Sequence, residues 1–331
     1  MSAAPSRAAL PATALAGADA IPAEELLRVT TLNALHANSA VAERTELVAD
    51  ELAVLAPDVF CLQEVRFEST CSSAQLEALT AATGLRAVAA LGQKRLADGS
   101  LSGNAILTRL ETLEAGHLPL GVPGSAVHSA AYAVLKARPG RVLIAVSAHL
   151  HWGGEKERER LVQATAIDAR VKQLMESYGA EHPMAVLAGD FNSVPDADTA
   201  RFLSGRSAGA DGGYTYWTDS FDVVGDPYEA ATVANDNHWA VQTAKSVGIL
   251  YPQLMPSRRI DYVWSYGWTY GKPGTPAAMS RSFTADTRYD FPASDHYGLT
   301  VDFWAPPVQP AFARLEEPAF LPEAEAVGAG W

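Results

Sequence analysis

The chain has 331 residues, 48% hydrophobic and 19% charged, the balance of an ordinary globular protein with ample material for a buried core. Its 38 acidic against 25 basic residues give a formal charge of −13, which argues against a broad basic surface for tight, sequence-independent nucleic-acid binding. No apolar run of about 18 residues is present, and Cys61 and Cys71 come without zinc-type spacing, which excludes a membrane-spanning helix, a disulfide framework and a structural zinc knot.

Length alone suggests about two domains. Residues 1–26 are Ala-rich, with Pro5, Pro11 and Pro22. Their apolar part, roughly 10–20, is weak and the start carries a single Arg7, so the segment reads as a flexible extension more than a secretory signal, and the protein as cytoplasmic with secretion left open. A single folded core is expected over 27–304. Within it, 27–33 (LRVTTLN) has strand character, and 40–55 spaces Val41, Val48, Leu52 and Leu55 as one helical face. Residues 58–64 (DVFCLQE) are an apolar strand that stops at a carboxylate, with Cys61 inside it as a buried thiol. Strands are predicted at 104–107, 131–136 and 142–150, the last two joined at the Pro139-Gly140 turn. The clearest helix is 155–178, whose apolar stripe is broken only by Asp168. Further strands fall at 184–190, 259–264 and 297–304, and 266–278 reads as an aromatic hairpin around a Gly/Pro turn. Residues 305–331 hold five prolines and four glutamates and read as a tail, either surface-packed or disordered. Hairpins mixed with single helical crossovers argue for an α/β sandwich of two sheets.

Several of these apolar strands end in one polar group: Asn33, Glu64, His149 and Asp190. A charge at the end of a buried strand is costly unless it is paired or metal-bound, and strand ends present side chains to a common cleft. Short motifs add detail. GDFN places Asp190 and Asn192 two residues apart, RRIDYV puts Asp261 in an apolar strand, and SDH joins Asp295 to His296. There is no G-x-S-x-G turn, no G-x-x-x-x-G-K loop and no H-E-x-x-H helix.

In their order, TLN (31–33), LQEV (62–65), GNAILTR (103–109), SAHL (147–150), GDFN (189–192), RRIDYV (258–263) and SDH (294–296) resemble the endonuclease/exonuclease/phosphatase superfamily. That group contains DNase I-like nucleases, abasic-site endonucleases, inositol-phosphate phosphatases and neutral sphingomyelinases. The resemblance implies a single four-layer α/β/β/α sandwich of two mainly antiparallel sheets, which overrules the two-domain prior. It also implies divalent-metal-dependent hydrolysis of a phosphate ester by direct water attack. Oxygen ligands suit Mg²⁺ or Mn²⁺. Glu64 is the first expected ligand, with Asn33 beside it and Asp295 completing this position or serving a second one. His296 is the expected general acid/base, oriented by Asp261. Asp190 positions or deprotonates the water, and His149 and Asn192 donate to the phosphoryl oxygens.

Substrate choice is expected in the loops. Residues 207–270 hold 12 of the 28 aromatic residues, and Asn235, Asp236, Asn237 and His238 are either polar groups for substrate or ordinary turn residues. Trp152, Arg258 and Arg160 are further candidates, Arg160 being either solvated or turned to the cleft. The acidic balance favours a small phosphorylated substrate, with a nuclease or, less so, a sphingomyelinase-like lipid phosphodiesterase as alternatives. No stable membrane insertion is expected. A catalytically dead binding module is disfavoured because every site residue stands.

Overall fold

The computed structural model describes residues 13–14, 17–18, 21–37, 39–121, 128–178, 183–285 and 288–308. With strands numbered in chain order, one seven-stranded sheet contains Thr13–Ala14 (β1), Leu26–Asn33 (β2), Val59–Phe67 (β3), Arg86–Arg95 (β4), Leu101–Thr108 (β5), Pro276–Ser282 (β12) and Gly298–Trp304 (β13). Its order is β1-β12-β13-β2-β3-β5-β4. The six-stranded sheet contains Glu111–Pro119 (β6), Ser129–Arg138 (β7), Arg141–His149 (β8), Met184–Asp190 (β9), Trp217–Asp219 (β10) and Asp261–Tyr266 (β11), in the order β10-β11-β9-β8-β7-β6. Among the described strands, β2/β3 and β8/β9 are the parallel pairs. Each parallel pair needs a crossover, supplied by the helices Val41–Leu55 (α1) and Glu157–Ser177 (α3).

Period-two alternation assigns the layers. On β3, Val59 and Cys61 enter the core between the sheets, while Phe60 and Leu62 face α1 and the helix Ala74–Thr83 (α2). On β8, Leu143 and Ala145 join the inter-sheet core, and Ile144 and Val146 pack toward α3 and the helix Asp198–Leu203 (α4). The result is the four-layer α/β/β/α sandwich. Burial raises the Cys61 thiol to about 12, as for an inert core group. Asp168, the break in the α3 stripe, is buried and accepts from Thr215 Oγ1 at 2.6 Å and Trp217 Nε1 at 2.9 Å, so it fastens the 215–217 segment to the helix.

Residues 266–278 do not form a hairpin. β11 pairs within the second sheet and β12 within the first, so 267–275 carries the chain from one sheet to the other. Trp268 and Tyr270 stay exposed on this crossing. Parts of both terminal segments dock on the sandwich: β1 pairs with β12, Ala305 N donates to Glu25 O at 2.7 Å, and Val308 N donates to Pro139 O at 3.0 Å. The remainder of both terminal readings lies outside the described residues. Among the described residues, no helix is long and apolar enough to cross a membrane.

Candidate active site

The register of the strands gathers the polar ends. Parallel pairing sets His149 opposite Asp190, and antiparallel pairing sets Asp190 opposite Asp261, so the second sheet presents three functional groups side by side. Gly189 makes this approach possible. Its φ is +137°, and a Cβ there would sit 2.0 Å from Ala148 O. In the first sheet, Asn33 ends β2, and the β3/β5 register shifts between Leu62 and Val65. Glu64 lies in that bulge with φ +54°, and Asn192 has φ +51°. Non-glycine residues held in the left-handed region concentrate where the fold must aim a side chain.

The two sheets meet at Asp190. Asn33 Nδ2 donates to its Oδ2 across the sandwich at 3.0 Å, and Asn192 N donates to Oδ1 at 2.8 Å. His149 Nε2 lies 3.5 Å and His296 Nε2 3.8 Å from Oδ2. His296 Nδ1 makes a 2.8 Å hydrogen bond with Asp261 Oδ2, which fixes the ring with Nε2 toward Asp190. His149 Nε2 is also 3.8 Å from Glu64 Oε1. Asp295 Oδ2 accepts from Thr243 Oγ1 at 3.1 Å. Behind these groups, Gln63 Nε2 donates to Ser147 Oγ at 2.9 Å, and that hydroxyl donates to Leu62 O at 2.8 Å, a polar tie between the sheets.

The electrostatics follow from burial against pairing. Burial would lower the His296 pKa, but the Asp261 and Asp190 carboxylates hold it well above the usual imidazole value. Burial would raise Glu64, but the His36, His149 and His296 imidazoles bring it far below the usual carboxylate range. Asp295 is raised, burial outweighing His296, Thr243 and Arg44. Asp190, Asp261 and His296 offer ligand atoms within 4.8 Å of one another. Around this cluster, Asn33 meets Asp190, Glu64 lies near His149 and Asp295, and Asp261 Oδ1 is buried without a hydrogen-bond partner. An oxygen-rich, acid-heavy set of this kind fits a hard divalent cation.

Beside His296 opens a cleft of about 390 Å³. Trp152, Asn235 and Arg258 line it, as do Asn192 and Asp295. Two sequence candidates take structural places. Arg160 is buried, not solvated: its Nη1 donates to His151 O at 2.8 Å and Gly153 O at 2.5 Å, and Nε pairs with Glu157 at 2.8 Å, clamping the 151–154 loop. Asn237 is also buried. Its Oδ1 caps the helix His238–Ser246 (α6), and its Nδ2 donates to Ser294 O at 3.0 Å, steadying the SDH segment from behind. Asn235 lines the cleft and braces it, donating to Met255 O at 2.8 Å.

Sequence reasoning missed His36 and Arg44. The His36 imidazole lies against Glu64, and its backbone N–H donates to Glu64 Oε2 at 3.3 Å. Arg44 donates to Ala34 O at 2.6 Å and Ala37 O at 2.8 Å, holding the loop that carries His36. The available signal was position: His36 lies three residues after Asn33, at the mouth of the same strand.

The pattern of the Endonuclease/Exonuclease/phosphatase family matches residues 30–296. The chain belongs to this family. It is therefore an enzyme of the phosphoesterase class, a hydrolase of phosphate esters. No curated protein sequence matches the chain. Similar solved structures include a truncated TDP2 of Caenorhabditis elegans, at 15% identity, covering 85% of this chain and 98% of that one with a TM-score of 0.61. They also include TDP2 of D. rerio complexed with single strand DNA product, at 18% identity, 84% and 98% coverage and TM-score 0.59. An endonuclease/exonuclease/phosphatase of Bacteroides vulgatus matches at 19% identity, 85% and 99% coverage and TM-score 0.58. At these identities the likeness is one of fold, the DNase I-like sandwich.

Proposed function

We propose that this phosphoesterase uses Mg²⁺ or Mn²⁺ and one direct, in-line attack of water on phosphorus. The observation that carries the reading is Asp190, held by donors from both sheets and flanked by two imidazoles. Glu64 is the principal ligand, with Asn33 and Asp295 beside it. When bound, the cation neutralises phosphate charge and stabilises the departing oxygen.

The chain's own groups do the rest. Asp190 accepts a hydrogen bond from the attacking water and aims it. His296 holds a proton at Nε2, and Asp261 keeps the opposite nitrogen protonated, so that the ring stabilises charge on the oxygen it faces. His149 and Asn192 donate to phosphoryl oxygens, which gain charge in the transition state. The substrate is a small phosphorylated molecule, supported by the acidic balance of the chain and by the cleft of about 390 Å³ beside His296. Cleavage of nucleic acid is the second reading, favoured by the fold shared with a TDP2 solved with single strand DNA product. The two separate in one experiment. Metal-stripped protein is given Mg²⁺ or Mn²⁺ and assayed for phosphate release from small monoesters and diesters, and in parallel for shortening of labelled single- and double-stranded oligonucleotides. Turnover of the small esters with intact oligonucleotides supports the first reading, and the reverse supports the second.

A further inference from the structure

The cleft has two chemically different walls. One carries Asn192, Asp295 and His296. The other comes from a single excursion of the chain between Thr232 and Arg258, whose ends are tied by the Val233↔Arg258 bridge and the Arg258 N to Val233 O bond of 2.8 Å. That excursion holds α6 and the short turn Pro252–Leu254, and it turns Val241, Ala244, Val247, Ile249 and Met255 into the cleft. Among the lining residues, Trp152 is 64% and Val247 68% exposed. Large apolar side chains left open to water around a concave site mark a ligand surface, because leaving them uncovered costs free energy that a ligand recovers. Thr243 on the same helix donates to Asp295, so the apolar wall is fixed directly to the catalytic end of the cleft.

We infer that the phosphate ester hydrolysed here carries an apolar group, an alkyl chain or an aryl ring, which lies along the 241–255 wall while its phosphate meets Asp190, His149 and His296. The inference rests on the phosphoesterase reading and adds the chemical class of the group attached to phosphorus. Each methylene withdrawn from water contributes about 0.8 kcal/mol, which corresponds to a roughly fourfold gain in affinity while the chain stays inside the cleft. A bare sugar or a charged sugar–phosphate backbone gains little from such a wall.

The test uses the full chain and two readouts. In the first, kcat/KM is measured with Mg²⁺ or Mn²⁺ for ethyl, butyl, hexyl and octyl phosphate, for phenyl and naphthyl phosphate, and for ribose 5-phosphate. In the second, binding of ethyl- and octylphosphonate, which cannot be hydrolysed, is measured by calorimetry. The expected result is affinity rising roughly fourfold per methylene up to a plateau, in both readouts. The alkyl and aryl arms tell the chain from the ring. Val247→Asp and Met255→Ser are expected to cut the octyl-to-ethyl ratio of kcat/KM by tenfold or more. Val247 is 68% exposed, so its substitution leaves the core intact. Ribose 5-phosphate or an oligonucleotide turned over faster than any apolar ester, with octyl- and ethylphosphonate bound equally, overturns the inference and leaves the phosphoesterase reading standing. Chain-length-dependent phosphonate binding with no hydrolysis of any ester supports the apolar site and overturns the reaction assigned to it.

Discussion

β2 carries two buried polar sites about five residues apart, roughly 17 Å along the strand, and they treat charge in opposite ways. Near its start, Arg28 faces Asp302 across the β2/β13 ladder. The guanidinium donates from Nε and Nη2 to the two oxygens of Asp302, both at 2.7 Å, and from Nη1 to Leu55 O at 2.7 Å. With Asp58, whose Oδ2 accepts from Arg28 N at 2.9 Å, the arginine sits among two buried carboxylates and grips one of them with a two-pronged fit. At the end of the strand, Asn33 donates to Asp190, and Asp190, Asp261, Asp295 and the half-buried Glu64 are four carboxylates served mainly by imidazoles. In the proposed function the acid surplus at the site end would hold a cation and serve phosphate chemistry, whereas the Arg28 end serves stability.

The largest effect is expected from Asp190→Ala, which removes the acceptor between the two imidazoles. Turnover should fall by about 10³–10⁴-fold, with cooperative thermal unfolding retained. Arg28→Ala should do the reverse, leaving the site's residues in place but costing about 3–5 kcal/mol in urea denaturation, because Asp302 is left buried and unpaired. Replacing both partners, Arg28→Met with Asp302→Leu, should restore most of that loss. Asp261→Asn should lower kcat by about 10²-fold with little change in KM, since it disturbs the proton on His296 and leaves the cleft intact. Divalent cation at tenfold excess over its Kd should stabilise the wild type by about 1.4 kcal/mol. Glu64→Gln should lose most of that shift, whereas a cation effect equal in both proteins would mean that Glu64 is not a ligand.

The smallest effect concerns the edge of the site. Burial, with the charges of His149, His151 and Lys94, lowers His128 to about 4. Its folded value lies below the unfolded one near 6.5, so the unfolded chain binds the extra proton between pH 6.5 and 4. The stability due to neutral His128 is therefore present above pH 6.5 and is lost as the pH falls toward 4. His128→Asn should flatten the denaturation profile in that window, and an unchanged slope would assign the acid sensitivity elsewhere.

The site's main groups were legible because each interrupts an apolar run: Asn33, His149 and Asp190 end strands and Asp261 begins one, whereas the strand expected to stop at Glu64 runs on to Phe67 with Glu64 in its bulge. The sandwich was legible for the same reason, since its inner strands are nearly continuous apolar stretches. Edge strands were not. β4 (RAVAALGQKR) carries two register shifts against β5, and β6 (ETLEAGHLP) has no fully buried position, so neither presents a sustained apolar face. Arg160 and Asn237 show a different limit. A helical arginine folded back onto the carbonyls of the preceding loop looks in sequence like a solvated one, and an asparagine capping a helix looks like one facing substrate. The apolar wall was hidden because its ends are joined by a bridge between Val233 and Arg258, which no local pattern records. His36 was missed because its partner, Glu64, lies on another strand.

The central claim is that the acid-rich end of the sandwich hydrolyses phosphate esters with a divalent metal. The most direct test is phosphate release across monoesters, diesters, oligonucleotides and sphingomyelin. It is run for chelator-stripped wild type, for the same protein after Mg²⁺ or Mn²⁺ add-back, and for Asp190→Ala. The account predicts no turnover without metal, recovery on add-back for at least one ester, and a loss of about 10³-fold or more in the variant. Turnover that survives chelation, or that Asp190→Ala leaves near the wild-type rate, would contradict it.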